Sequence, residues 1–485
     1  MDRVRGVWER LRRALADLLA RVRYRLGESG WARLPVVGSL RPQELLARPQ
    51  QLGRRWRKTR AKTDRNIWYL YVEVFWAGIF LAALAFNATY ALRLGASNTM
   101  IGWLSSIPAL LAIGVLLPAA SFLEKQSNRG VWLRRSLFVG RLAFLGAAIG
   151  PWIFPRHAAE VVVAILILRA IPMNFYSAGF SPMLADVIPM RDRARVMANR
   201  SIISSATVAA CTFLFGRWMD LADTLTWAKF PVNFQVVYLI GTVAGLLSTY
   251  YVSRIEVPET GVIQEDKETG AERRRPLASR LADVRQLFDG VKGMVRENRD
   301  FAQIIINTFV FDFGAWMVMP LYVIFFIRQL NASDGWVGLN TTVAHIGVIA
   351  GNTIWRRLVD RLGPARSLRL AVPMAATYAF LVSLFPNLTL ILLWGVLVNL
   401  INPGVSLSHV TLLYTLCPPE RRTSYLAIYS TVANIGAFLA PMIGVALSGL
   451  MDIRWILMIG GAIRLIGAGL FHRYRIEMPE AAAAQ

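Results

Sequence analysis

A chain of 485 residues with 55% hydrophobic and only 17% charged residues, and a mean hydropathy of +0.43, is too apolar for a soluble globular protein and reads as a membrane protein. Its net charge of +24 would suit nucleic acid, but the basic residues line the ends of apolar stretches, where anionic lipid headgroups attract them, so nucleic acid is excluded as a partner. Cys211 and Cys417 lie in or beside separate apolar stretches, which excludes a disulfide framework and a thiolate metal site.

In chain order, residues 1–66 form a basic extension with 18 Lys and Arg against 6 acidic residues. Val4, Val7, Trp8, Leu11, Leu15, Leu18 and Val22 recur there at helical spacing with arginines between them, which predicts an amphipathic helix lying on the inner leaflet, and 35–49 reads as a linker. No cleavable signal peptide is visible, because the first apolar stretch long enough to span begins near residue 67. Twelve such stretches follow: 67–92, 101–123, 133–154, 161–188, 196–221, 234–252, 301–327, 336–359, 368–385, 388–416, 425–450 and 453–471. Between the sixth and seventh, 253–300 predicts a cytoplasmic linker ending in an amphipathic helix through Leu277, Leu281, Val284, Leu287 and Val291; 472–485 is a tail. With the loops assigned alternately, 45 of the 54 Lys and Arg fall on the side of the termini and five on the other, which orients both termini to the cytoplasm.

The chain repeats itself at an offset of 236 residues. "RLGASNTMIGWLSS" (93–106) returns as "RQLNASDGWVGLNTT" (328–342), with Leu94, Ala96, Ser97 and Gly102 matched by Leu330, Ala332, Ser333 and Gly338. At the far end of the following stretch Glu124-Lys125 is matched by Asp360-Arg361. Two parallel six-helix halves, 67–252 and 301–471, are therefore expected, with a connector between the first two helices of each.

"VDRLGPAR" (359–366) lies between the eighth and ninth stretches. Twelve helices in two halves with this loop resemble the major facilitator superfamily, whose loop motif runs Gly-x-x-x-Asp-Arg/Lys-x-Gly-x-Arg. Asp360, Arg361, Gly363 and Arg366 match its places, the last displaced by one residue; Arg356 replaces the first glycine, and the first half keeps only Glu124 and Lys125. The resemblance implies an all-α membrane fold of two pseudo-symmetric six-helix bundles, a substrate cavity lined by helices 1 and 7, and a cytoplasmic gate. In that gate Asp360 faces the start of helix 5, which opens after "PMRDRAR" with Arg191 and Arg195, and Glu124 faces the start of helix 11 beside Thr423 and Ser424. Helix 5, "VAACTFLFGRWMD", departs from the Gly-rich, Pro-containing motif of many proton-driven drug antiporters.

Charges at membrane depth are expensive and so are functional candidates. Glu73 in the first stretch and Asp312 in the seventh stand at similar depth in the two halves. Each is either a proton-coupling group or one member of a fixed ion pair with an arginine such as Arg141, Arg169 or Arg464. Arg141 and Arg169 are in turn candidates for a substrate anion clamp or for helix-helix ion pairs. Tyr176, Asn307 and His345 add polar positions of a substrate cavity, and His409 fits an interhelical hydrogen bond.

The expected protein is a monomeric secondary transporter of the inner or plasma membrane, moving a small organic solute, with protons as coupling ion. It needs no cofactor and no metal, and touches lipid. A lipid flippase or hydrophobic-compound exporter on the same fold is the alternative. An integral-membrane transferase is the remote one, because His157, His345, His409 and His472 are scattered and no paired-acid motif is present.

Overall fold

The computed structural model describes residues 49–124, 126, 128–257, 298–418 and 421–474, and is helical throughout them. The predicted amphipathic helices of 1–48 and 258–297, the tail beyond Tyr474, and the side chains of Glu124, Lys125, Arg191, Thr423 and Ser424 lie outside the described residues. The chain divides into two compact units, Met1–Ala61 and Lys62–Gln485; apart from the opening turns of the first helix, everything below concerns the second.

Twelve long helices follow one another. Helix α1 runs Pro49–Leu84 and, after a turn at Ala85 and Phe86, resumes as Asn87–Arg93; α2 is Asn98–Glu124, α3 Arg129–Ile153, and α4 Ala158–Leu168 resumed as Ala170–Val187. Then come α5 (Met190–Thr224), α6 (Val232–Ser253), α7 (Arg299–Ile324, extended by a π-helical turn Phe325–Gln329), α8 (Asp334–Leu362), α9 (Pro364–Leu384), α10 (Leu388–Leu416), α11 (Arg422–Leu447) and α12 (Ile453–Arg473).

The predicted stretches coincide with these helices to within a turn, with four corrections. Helix α1 begins at Pro49 rather than near 67, because the Gln-, Arg- and Lys-rich run before the apolar stretch has good helix propensity. Helix α5 opens at Met190, so Arg191 and Arg195 sit inside its opening turns and not ahead of it. Helix α4 is interrupted at Arg169 because Pro172 supplies no N–H to the Leu168 carbonyl. Among the described residues eleven helices are long and apolar enough to cross a membrane; α8 is less apolar because it carries Asn340, Thr341, Thr342, His345, Asn352 and Thr353, and it packs along α5 and α10.

The repeated connector is a chain reversal. In the first half Gly95 has φ +95°, with its N–H on the Leu92 carbonyl and the Ala96 N–H on the Ala91 carbonyl, a Schellman stop. In the second half Asn331 holds the matching position at φ 51°, and asparagine is the other residue that tolerates it. Two residues on, Ser97 Oγ accepts from the Met100 N–H and Ser333 Oγ from the Trp336 N–H, so each serine caps the next helix. Each copy thus stops one helix and starts the next within a few residues. Nothing stands within 4 Å of where a Gly95 Cβ would lie, so Gly95→Ala should cost only the conformational penalty, about 1–2 kcal/mol. Gly95→Asn, which copies the other half, should recover most of that in a thermal-unfolding comparison.

Across the halves, α2 packs on α11 and α5 on α8, the arrangement that the 236-residue repeat requires of equivalent helices. The buried core falls into three clusters. One, on the connector side, is built from both halves, including Phe80, Tyr90, Phe144 and Phe215 with Met317, Leu321, Phe325 and Leu457. The other two lie on the opposite side and each draws on a single half: Leu70, Leu133, Met183 and Val252 in the first, Phe301, Leu368, Leu412 and Tyr425 in the second.

Candidate functional site

The two connectors grip each other reciprocally. Arg93, at the end of α1, donates from Nε to Asp334 Oδ1 at 2.9 Å and from Nη2 to the Ala332 carbonyl at 3.1 Å. Arg328, at the end of α7, donates from Nη1 to Asn98 Oδ1 at 2.5 Å and from Nη2 to the Ala96 carbonyl at 2.6 Å. Ala332 and Asp334 are the repeat equivalents of Ala96 and Asn98, so each half offers the same two acceptors to the other's arginine. Beneath this clasp α5 and α8 cross at Gly216 and Gly338, and Thr212 Oγ1 and Thr342 Oγ1 share a hydrogen bond of 2.9 Å. On the other flank Asn98 Nδ2 donates to Ser448 Oγ at 3.3 Å, and Gly102 lies against Val445. The hydrogen bonds between the halves made by Arg93, Asn98, Thr212, Arg328 and Thr342 all belong to this connector-side region.

The opposite side differs. Asp360, Arg361 and Arg366 are exposed, and Asp360 makes no ion pair or hydrogen bond among the described residues. Arg195 bonds Asp192 of its own helix at 2.8 Å. The loop motif of the second half is thus exposed and makes no ion pair with the described side chains of α5.

Inside the first half, Glu73 is 4% exposed. Its Oε2 stands 2.9 Å from Arg200 Nη1, which also donates to the Leu70 carbonyl at 2.6 Å, and its Oε1 accepts from Ser248 Oγ at 3.1 Å. The counterion is thus Arg200 of α5, rather than Arg141, Arg169 or Arg464. Helix α5 starts early enough, at Met190, to carry Arg200 within the helix to the level of Leu70.

Arg141 and Arg169 both face Phe80 of α1, with guanidinium carbons 3.8 and 5.6 Å from the ring centroid. Neither makes a hydrogen bond or ion pair, and the Nε atom of each is buried without a partner among the described residues. Tyr176 is buried and stacks on Phe180 at 4.9 Å. In the second half Asp312 is half-buried on α7, and the Arg464 guanidinium, 4.4 Å from the Phe311 ring, acts on it through space without an ion pair within 4 Å. Asn307 is fully buried and accepts from Gln303 Nε2 at 2.8 Å. His345 Nδ1 and His409 Nε2 are buried without partners, and the His409 ring lies 5.4 Å from that of Tyr429.

The structure therefore unites Arg141 with Arg169, Glu73 with Arg200 and Ser248, and Asp312 with the field of Arg464. Sequence reasoning passed over Arg93, Arg328 and Asp334 as site residues, although the repeat that brackets them was the available signal.

Residues 304–485 match the family model described as Major Facilitator Superfamily. No curated protein sequence aligns with the chain. Among solved structures, a POT family transporter in complex with 5-aminolevulinic acid superposes with a TM-score of 0.64 at 10% identity, over 85% of this chain and 96% of that one. The xylose transporter XylE from E. coli, inward open, gives 0.60 at 13% identity over 87% and 96%. A bacterial homolog of the human lysosomal transporter Spinster, inward-facing and occupied, gives 0.59 at 13% identity over 84% and 95%. The second bundle is thus similar to the Major Facilitator Superfamily, and the helical arrangement over both bundles shares the fold of these transporters.

Proposed function

We propose that this protein is a secondary active transporter that moves a small organic solute across the cell membrane by alternating access, with Asp312 as the proton-coupling group and both termini in the cytoplasm. The observation that carries the reading is the distribution of the core: the halves share one core on the connector side and keep separate cores on the other. In that topology the connector side is external and closed, and the exposed Asp360 belongs to the cytoplasmic gate. The segments 1–66 and 253–300 then flank two transport bundles as membrane-surface elements. Glu73 fits a fixed structural pair, since Arg200 and Ser248 occupy both of its oxygens, whereas Asp312 has no direct partner among the described residues, which suits a group that exchanges a proton. Transport rather than catalysis is supported by the fold and by the family.

The test is a solute panel on proteoliposomes that carry a pH-sensitive dye inside. At least one soluble solute should evoke saturable, solute-dependent proton movement. Asp312→Asn should abolish the proton movement while leaving exchange of the same solute. Movement of fluorescent lipid analogues with no response to any soluble solute would favour a flippase and overturn this reading.

A further inference from the structure

We propose that Arg141 and Arg169 form an anion-binding site in the first bundle, so that the transported solute carries a carboxylate or phosphate group; this rests on the transporter reading and names its substrate class. Arginine stays protonated in proteins, so a guanidinium taken out of water must find an anion or a set of acceptors. Arg141 is only 5% exposed, and makes no hydrogen bond and no ion pair among the described residues. Arg169 is in the same state at the interruption of α4, half-buried, so that one edge of the pair remains accessible.

The acid nearest to hand is already used. Glu73 pairs with Arg200 and accepts from Ser248, so the interior of the first bundle carries one acid against three arginines; Glu73 attracts Arg141 only through space, and neither Arg141 nor Arg169 has a direct anionic partner among the described residues. Of the titratable groups that act on the pair from neighbouring helices, Glu73 is committed to Arg200 and Ser248, Tyr176 and Tyr238 are neutral phenols, and Tyr238 donates its hydroxyl proton to Asn87 Oδ1 at 2.7 Å. The Phe80 face offers both guanidinium groups a cation–π contact, which offsets only part of their desolvation.

The recess is built for this arrangement. A Cβ on Gly245 of α6 would stand 2.7 Å from Arg141 Cδ, so the glycine is what admits the arginine stem at that depth. Both guanidinium groups face one ring, which puts them within reach of a single small ligand, and their planar forks match carboxylate and phosphate oxygens.

The experiment uses the full chain in detergent and in nanodiscs, and follows thermal unfolding against matched probes. These are inorganic phosphate, phenyl phosphate and phenol, and a series of mono- and dicarboxylates with their amides. Anionic members should raise the apparent Tm in a saturable way and their neutral partners should not. Arg169→Gln should weaken that response about tenfold or more, and Arg169→Lys, which keeps the charge and loses the fork, should fall between. Arg141→Gln should act in the same direction. Because Arg169 lies at a helix interruption, its variants keep the test valid where Arg141→Gln fails to fold.

A response to anionic phosphatidylglycerol nanodiscs over phosphatidylcholine ones, with none to soluble acids, would assign the site to lipid and overturn the substrate proposal. So would equal curves for acids and amides, or a flat response to every anion. Uptake of neutral solutes alongside a flat anion response would remove the anion site and leave the transporter reading standing.

Discussion

Arg200→Leu should destabilise the folded first bundle by about 3–5 kcal/mol, read from equilibrium unfolding in mixed micelles at neutral pH. The substitution strands Glu73, which is 4% exposed and keeps only the Ser248 hydroxyl as a direct partner, and it removes the donor to the Leu70 carbonyl. A buried charge without its counterion is among the few single changes of that magnitude. Removing both charges is a different matter: Glu73→Met combined with Arg200→Met should come back to within about 1 kcal/mol of the wild type, because a buried pair replaced by apolar groups loses attraction and desolvation cost together. The cycle also separates the two roles open to Glu73. If the pair is structural, the double variant transports with the wild-type pH dependence; if Glu73 carries protons, the double variant folds and loses coupling.

How much of this was legible depends on the range of the interaction. Helix existence is local, so the length of the apolar stretches located all twelve helices. The stop and start chemistry of the connector was legible too, because Gly95 or Asn331 followed by Ala and Ser is a short-range code. Charge pairing was not. Which arginine meets Glu73 depends on the rotation of α5 against α1, and on α5 starting at Met190 early enough to bring Arg200 to the level of Leu70. The clasp was half legible: the repeat marked the connectors, but only the packing of one half on the other shows that Arg93 takes its acceptors from the second copy and Arg328 from the first. The interruption at Arg169 follows from Pro172, a short-range cause that the sequence carries.

Gly338→Val should shift the protein away from the connector-closed state. A Cβ at Gly338 would lie 2.6 Å from the Thr212 carbonyl oxygen and 2.7 Å from Gly216 Cα, and both are backbone atoms that cannot swing aside. Overpacking of this kind costs about 1–3 kcal/mol, and α5 and α8 can relieve it by parting. Because the same crossing helps to close the connector side, the strain is paid only in the closed state, and the population should move toward the state open there by about 5- to 150-fold. The reporter is Thr342→Cys, at a position 8% exposed, in a background lacking Cys211 and Cys417; its alkylation rate should rise by that factor when Gly338→Val is added. Arg93→Ala with Arg328→Ala should act in the same direction with a smaller effect, about 0.5–1 kcal/mol per arginine, since the Arg93 side chain is 37% exposed and its pair with Asp334 is partly screened. If closure is set by the clasp and the glycine crossing acting on one rigid-body motion, the two sets of changes will add, because each removes contacts made only in the closed state. Unchanged alkylation in both would mean that the connector side is held by its apolar core alone, and that the arginines serve only to keep the repeat in register.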